Sequence, residues 1–305
     1  MRPLLVGGVA LALATHPASS QPTMARGLVV APEAGERLEY CARPLVVTLK
    51  VDSVAAATTH LVAGIGELRG DEGAGRHTTA DEILYVVEGW GHVTVGADTV
   101  ALAPGSIVHV PPGVAHRLVS TGRRPMTYFF VLGPGGAAGG LRRASTIGCA
   151  GAPASAVPSA APQSPRSSET GAGRAVWLDP GAGDRITYCL FPLTITTKID
   201  SSSAPGTRLT AAVGALRRGA EYATHAVGDE VALFTGGSGR AFIGSDTMAV
   251  RAGSVTFVPQ GTPHGFINDG EGTLEYVVVY QRGFSPAGFR RLGARPGPYC
   301  PATAP

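Results

Sequence analysis

Charged and aromatic residues are both scarce in this chain of 305 residues, at 15% and 6% of the sequence. Lysine and arginine never form a run longer than a pair, and the formal net charge is +3. A nucleic-acid partner needs a clustered basic surface, so the sequence argues against one. No apolar run approaches the roughly twenty residues of a transmembrane helix, so we also expect no membrane partner.

Glycine and proline are plentiful instead, with 43 and 24 residues. Many turns and few charges favour strands over helices. The apolar content of 44% is enough to fill two cores in a chain of this length. We therefore expect a globular protein with two domains.

The N-terminus has the order of segments that is typical of a secretory signal peptide. It reads MRPLLVGGVALALATHPASSQP, in which one arginine precedes an apolar stretch that ends in small residues. We assign the signal peptide to residues 1–20, with a disordered apolar tail as the alternative. The assignment predicts a secreted or periplasmic protein, outside the cytoplasm in either case.

The two halves of the chain repeat each other. The stretch GERLEYCARPLVVTLKVDS, which contains Cys41, returns as GDRITYCLFPLTITTKIDS around Cys189, 148 residues later. The chain is therefore a tandem duplication. Residues 150–173, between the copies, are rich in Ala, Ser, Pro and Gly and predict a flexible linker. The predicted domains are residues 27–149 and residues 174–305.

Short runs of alternating apolar and polar residues fill both copies. ILYVVEG and HVTVGADTVALAPG in the first copy match VALFTGG and AFIGSDTMAVRAG in the second. This period of two predicts about eight or more antiparallel strands in each copy. A barrel or double-sheet jelly roll limits the exposed edges of so many strands, so we expect an all-β fold. Helix is expected only in short pieces such as GGLRRAS and AGFRRLG.

A trio of two histidines and one glutamate recurs in both copies with the same spacing. Three other histidines of the first copy, His60, His92 and His109, are replaced in the second. Retention of the trio alone indicates joint use, and two imidazoles with one carboxylate are a common ligand set for Mn, Fe, Ni, Cu or Zn. The candidate metal ligands, for up to two divalent transition metals per chain, are His77, Glu82 and His116 and their equivalents His225, Glu230 and His264.

Around these residues the sequence resembles the cupin superfamily, which has a Gly and Pro-x-Gly motif before its last histidine. The matching residues are His77, Glu82 and Gly89 with Gly105, Pro111, Gly113 and His116, and then His225, Glu230 and Gly237 with Gly253, Pro259, Gly261, His264 and Asn268. The resemblance covers almost the whole chain outside the linker and the signal peptide. It implies two tandem jelly-roll barrels, a bicupin, each with a metal inside.

One departure from the family pattern concerns the ligands. The first His of the His-x-His motif is replaced by Gly75 and by Ala223, so each site offers three ligands instead of four. The oxalate decarboxylase and oxidase subgroups, which have the full pattern, therefore fit less well. Glu72 and Glu221 precede the missing position and could add a carboxylate, although surface salt bridges are the favoured interpretation for both.

The resemblance implies a metal-dependent enzyme that acts on a small oxygen-rich molecule, with dioxygenase, decarboxylase, isomerase or lyase chemistry all open. A non-catalytic binding or storage bicupin is the alternative, because the fold does not settle function. No general acid or base is evident from the sequence. We expect unequal lobes, because Tyr85, Trp90 and His109 of the first copy are matched by Leu233, Ser238 and Phe257 in the second.

Four cysteines, an even number in a chain with an export signal, predict disulfides, and three connectivities are possible. We favour pairing within each copy, which joins Cys41 to Cys149 and Cys189 to Cys300. Each bridge closes a loop of about a hundred residues and contributes about 3 to 5 kcal/mol. Pairing between the copies is the alternative that also respects the repeat.

The export hypothesis predicts that the exported protein lacks about the first twenty residues and contains no free thiol. Intact mass spectrometry with and without a thiol-alkylating reagent measures both. Reduced cysteines in exported protein would contradict the hypothesis.

Overall fold

The computed structural model describes residues 27–57, 59–76, 80–134, 138–149, 174–188, 191–221 and 228–281. The predicted signal peptide, the predicted linker and the AGFRRLG segment lie outside these ranges.

The first copy contains strands β1 (Leu28–Val30), β2 (Glu36–Glu39), β3 (Leu45–Val51), β4 (Val62–Leu68), β5 (Gly75–Arg76), β6 (Asp81–Glu88), β7 (Gly91–Val95), β8 (Asp98–Leu102), β9 (Ile107–Val110), β10 (Ala115–Ser120), β11 (Met126–Gly133) and helix α1 (Ala138–Ser145). The second contains β12 (Val176–Leu178), β13 (Asp184–Thr187), β14 (Leu193–Ile199), β15 (Leu209–Leu216), β16 (Gly219–Ala220), β17 (Glu230–Gly236), β18 (Ser238–Ile243), β19 (Asp246–Arg251), β20 (Val255–Val258), β21 (His264–Asn268) and β22 (Leu274–Gln281).

Each copy forms a jelly-roll barrel from one seven-stranded sheet and one four-stranded sheet. Barrel 1 consists of the sheets β12-β9-β6-β11-β4-β3-β2 and β5-β10-β7-β8, and barrel 2 of the sheets β1-β20-β17-β22-β15-β14-β13 and β16-β21-β18-β19. The predicted hairpins form at the expected places, where Gly96 and Gly244 have φ values of 59° and 62°. Positive φ favours glycine in such two-residue turns. The all-β, two-barrel prediction is confirmed.

The first strand of each copy pairs with the barrel formed by the other copy. β1 pairs with β20, and β12 pairs with β9. A buried lysine fixes the turn after each exchanged strand: Lys50 Nζ donates to the carbonyls of Ala31, Pro32 and Ala34. Lys198 does the same in the second copy. The two barrels are therefore joined by main-chain pairing, independently of the linker.

Three apolar clusters follow from the alternation of side chains along the large sheets. One cluster fills barrel 1 and includes Leu84 and Val86, and another fills barrel 2. The third lies between the barrels and contains Ile83 and Tyr85, the β6 neighbours of those residues, together with Leu233 and Phe257. Successive residues of a strand face opposite sides, so each large sheet covers its own barrel with one face and the partner barrel with the other.

Helix α1 is attached to barrel 1 by a disulfide and an ion pair. Cys41 and Cys149 are bonded, with their Cα atoms 5.2 Å apart, which confirms the predicted pairing in the first copy. Cys189 and Cys300 lie outside the described residues, so their pairing stays a prediction. Arg142 of α1 donates to the Asp52 carboxylate at 2.6 Å. Within the described residues, no helix has the length and apolarity needed to span a membrane.

Asp52 and its equivalent Asp200 provide a matched test of how α1 is held. Each accepts two main-chain hydrogen bonds in the same turn; in the described structure Asp52 also pairs with Arg142, whereas Asp200 accepts from the neutral Ser202 hydroxyl. Burial opposes ionisation of Asp52, yet the hydrogen bonds, including that of Arg142, outweigh it and lower its pKa. We expect Asp52→Asn to cost about 1 to 2 kcal/mol more than Asp200→Asn at neutral pH.

A lowered folded-state pKa means that this stabilisation is complete above the unfolded value of about 3.9 and is lost as the pH falls through the folded value. The difference between the two variants should therefore shrink on acidification. Chemical denaturation at neutral and acid pH measures it. Equal losses at neutral pH would show that the Arg142 contact contributes nothing.

Candidate functional site

Barrel 1 brings Glu82 and His116 into contact in its interior. Glu82 follows the inward alternation of β6, and His116 has the same orientation in β10, where its neighbour Arg117 is exposed. The distance from His116 Nε2 to Glu82 Oε2 is 3.1 Å, with side-chain exposures of only 5% and 7%. Two residues that are 34 positions apart in the sequence thus form a buried pair.

Barrel 2 repeats this contact with Glu230 and His264. The distance from His264 Nε2 to Glu230 Oε2 is 3.0 Å, and both side chains are buried. His264 Nδ1 donates to the Thr262 carbonyl at 2.8 Å. A carbonyl at Nδ1 fixes the ring so that Nε2 faces the carboxylate, which is the orientation found in metal-binding histidines.

The histidines of the two contacts differ in the direction of their pKa shifts. Burial alone lowers the pKa of His264, but the charge and hydrogen bond of Glu230 outweigh it and raise the pKa to about 9. The proton of that pair therefore stays on the imidazole at neutral pH. In barrel 1, burial lowers the pKa of His116 to about 4. His116 is therefore neutral at neutral pH, and the tautomer with its hydrogen on Nε2 can donate to Glu82.

The third residue of each predicted trio, His77 or His225, lies outside the described residues. The described structure therefore joins two members of each trio and does not test the third. No group of three or more His, Cys, Asp or Glu side chains in the described ranges is arranged to hold a metal ion. The metal-ligand assignment stays a prediction for all six residues.

The residues that are present fit a divalent metal in their chemistry and in the space beside them. Imidazole nitrogen and carboxylate oxygen are suitable donors for Mn, Fe, Ni, Cu and Zn. Gly75 pairs with His116 across β5 and β10, and a Cβ atom at Gly75 would lie 3.4 Å from His116 Nε2. The missing side chain thus leaves space next to the imidazole, at the position of the family's absent histidine.

Glu72 and Glu221 are part of the barrel interiors, and the prediction of surface salt bridges is wrong for Glu72, which is 7% exposed. Its carboxylate accepts from Leu118 N at 2.9 Å and from the Tyr128 hydroxyl at 3.3 Å. Glu221 accepts from the Tyr276 hydroxyl at 2.8 and 2.9 Å. Burial is the main cause that raises the pKa of each carboxyl to about 8.

The residues expected to make the two pockets different do not line them. Tyr85 lies between the barrels, Trp90 is 60% exposed, and His109 donates to or accepts from Asp81 at 2.8 Å on the outer side of β6. The reason is the alternation of the strands: odd-numbered β6 residues face the partner barrel. The interiors differ in both directions instead. Barrel 2 has the larger side chains at Phe234, Phe266 and Tyr280, which match Val86, Leu118 and Leu132, and barrel 1 has the larger ones at Leu84, Val93 and Phe130, which match Ala232, Ala241 and Val278.

Aromatic side chains in the interior of barrel 2 pack edge to face. The ring centroids of Phe234 and Phe266 are 4.9 Å apart, and those of Phe266 and Tyr276 are 4.8 Å apart, both edge to face. Such packing stabilises a core and leaves less room for a ligand.

Comparisons with known proteins agree with this architecture. A family model described as Cupin domain matches residues 66–132 and 210–280. Structures with the same fold include Ylba from E. coli, with a TM-score of 0.61 and 13% identity over 86% of this chain and 93% of that one. A variant of oxalate decarboxylase from Bacillus subtilis has a TM-score of 0.62 and 15% identity over 87% and 80% of the two chains. At these identities the likeness shows the fold alone.

A curated relative, an uncharacterized protein of Streptomyces coelicolor, is 51% identical over 37 residues. That stretch is 12% of this chain and 35% of the relative, so the match spans about a third of the relative's length.

Gly75→His tests whether the space beside His116 is a vacated ligand position. The new imidazole would complete the four-ligand pattern of the family in barrel 1, so Mn²⁺ affinity should rise about tenfold or more. Calorimetric titration of Mn²⁺ measures it, with Gly75→Leu as the control that fills the space without a donor. Equal affinities for the two variants would contradict the interpretation.

Proposed function

Because the chain belongs to the cupin superfamily, with one cupin domain in each copy of its repeat, we propose that it is a metal-dependent enzyme that acts on a small oxygen-rich molecule. The single observation that supports this most is the buried Glu–His pair, at 3.1 and 3.0 Å, inside both barrels. A buried carboxyl–imidazole pair costs desolvation that an apolar pair of the same size would avoid, so its presence in both barrels favours a functional role over a purely structural one.

His77, Glu82 and His116, and in barrel 2 His225, Glu230 and His264, would hold the metal. A divalent transition metal supplies Lewis acidity there, or dioxygen activation if it is iron, copper or nickel. Mn(II) centers are described for the Bacillus subtilis oxalate decarboxylase, which has the same fold. The Thr262 carbonyl orients the imidazole of His264, and the apolar walls of the barrels exclude water from the carboxylates.

A non-catalytic binding or storage protein is the second candidate, and the aromatic packing of barrel 2 favours it for that barrel. Phe234, Phe266 and Tyr276 form a compact cluster next to the Glu230–His264 pair. We therefore propose that barrel 1 carries the larger share of the turnover. Function outside the cytoplasm, after removal of residues 1–20, is part of the same proposal.

Purified protein should contain up to two equivalents of transition metal per chain, and His116→Ala combined with His264→Ala should remove it. Elemental analysis by plasma mass spectrometry, on protein prepared without chelator, measures the content. His60→Ala combined with His92→Ala is the matched control, because these histidines lie outside both pairs and should leave the content unchanged. Metal retained by the first double variant would show that the ligand assignment is wrong.

A further inference from the structure

Each barrel contains a tyrosine–glutamate pair in addition to its glutamate–histidine pair. Tyr128 and Tyr276 are equivalent residues of the repeat, 148 positions apart, whereas Glu72 and Glu221 are 149 positions apart. The second glutamate therefore reaches the same tyrosine from a different position of its loop. Both hydroxyls are within hydrogen-bond distance of the carboxyl group, at 3.3 Å in barrel 1 and 2.8 Å in barrel 2. The contact recurs although the glutamate position does not.

The glutamate of each pair binds the strand that carries the histidine, at a residue two positions after that histidine. Glu72 binds the main chain of Leu118 through both its own N–H and its carboxylate, and Leu118 is two residues after His116. Glu221 N–H donates to the carbonyl of Phe266, which is two residues after His264. Two residues of a strand span about 7 Å. A small molecule that contacts the histidine with one end can therefore reach the tyrosine hydroxyl with the other.

The surroundings of each glutamate oppose its ionisation. Glu72 is close to Glu82, Arg43 and Tyr128, and Glu221 is close to Glu230, His264 and Tyr276. A second carboxylate in the same barrel adds repulsion, and its burial adds desolvation. The two effects favour a neutral, proton-bearing carboxyl group, in agreement with the raised pKa values of about 8.

We propose that the two pairs are proton relays, in which Tyr128 or Tyr276 gives a proton to the bound substrate and Glu72 or Glu221 resupplies it through the tyrosine oxygen. The tyrosine O–H bond breaks as a bond from hydrogen to substrate carbon or oxygen forms. The glutamic acid O–H proton passes to the tyrosine oxygen, which leaves a carboxylate. No oxidant or reductant is consumed.

This inference rests on the proposed function and narrows it. A relay of this kind serves decarboxylation, isomerisation or lyase chemistry, in which a carbanion or alkoxide of the substrate must be protonated. Oxygenation of the substrate does not need it. The tyrosines are the catalytic residues of the proposal, and the glutamates act through them.

The first test detects the proton on each glutamic acid directly and needs no substrate. Infrared difference spectra in D2O at neutral pH compare the full-length protein with Glu72→Gln and with Glu221→Gln. Each variant should lose the carbonyl stretch of a protonated carboxylic acid, whereas Glu275→Gln, at an exposed position, should lose only bands of an ionised carboxylate. Loss of ionised-carboxylate bands alone in the first two variants would overturn the relay.

The second test follows proton transfer to a substrate. Metal-loaded protein is incubated in D2O with pyruvate, lactate and glucose, and NMR measures deuterium incorporation. We expect incorporation into at least one compound, and a rate about 100-fold lower or less in the double variants Glu72→Gln with Glu221→Gln and Tyr128→Phe with Tyr276→Phe. Tyr85→Phe, between the barrels, is the control and should exchange at the rate of the unmodified protein.

Metal content and thermal midpoint are measured for every variant, so that loss of exchange is separated from loss of fold. Unchanged rates in the double variants, or no incorporation into any of the three compounds, would overturn the relay. A chain that binds no metal would instead count against the proposed function. The two failures are therefore distinguishable.

Discussion

The alternation of side chains along β6 and β17 connects the candidate site to the assembly of the two barrels. On β6 the neighbours Asp81 and Glu82 face opposite sides of one sheet: Glu82 meets His116 inside barrel 1, and Asp81 accepts from Arg208 of the second copy at 2.8 Å. On β17 the same holds for Glu230 and Asp229, which accepts from the main chain of His60 in the first copy. A shift of one residue in either strand would turn the glutamate toward the interface between the barrels and the aspartate into the barrel.

The interface explains why the chain needs both copies. Exchange of β1 and β12 places one strand of each copy in the sheet of the other, and the cluster that contains Ile83, Tyr85 and Phe257 is buried only when the barrels are together. The equivalent Lys50 and Lys198 hold the exchanged segments by main-chain carbonyls. Duplication thus produced a single unit in which each barrel is completed by a strand of the other copy.

The sequence predicted the features that depend on local patterns and on the repeat. The strands follow from a period of two, the hairpin at Gly96 follows from its turn residues, and the Cys41–Cys149 pairing follows from cysteine positions at the ends of the first copy. The contacts of Glu82 with His116 and of Glu230 with His264 follow from co-retention in both copies. Each of these features is visible in the sequence as the same residue types at equivalent positions of the two copies.

Features that depend on which side of a sheet a residue faces, or on which barrel a strand joins, were not predicted from the sequence. Glu72 and Glu221 occupy non-equivalent positions, so the repeat gives no sign that both meet a tyrosine. The exchange of β1 and β12 has no local pattern, because a strand that pairs with either barrel has the same alternation. Tyr85 and His109 were assigned to pockets because nothing local distinguishes an inward-facing from an outward-facing residue when both sides of a sheet are buried.

The central claim is that the buried glutamate–histidine pairs are metal ligands and not merely ion pairs. Anomalous diffraction from crystals of the full-length protein grown with Mn²⁺ tests it most directly. The account predicts an anomalous peak in at least barrel 1, about 2.0 to 2.2 Å from the Nε2 atom of His116 and from a carboxylate oxygen of Glu82, with the two side chains moved apart to admit it. A map with no peak in either barrel, in which His116 and Glu82 remain in direct contact at saturating Mn²⁺, would contradict it.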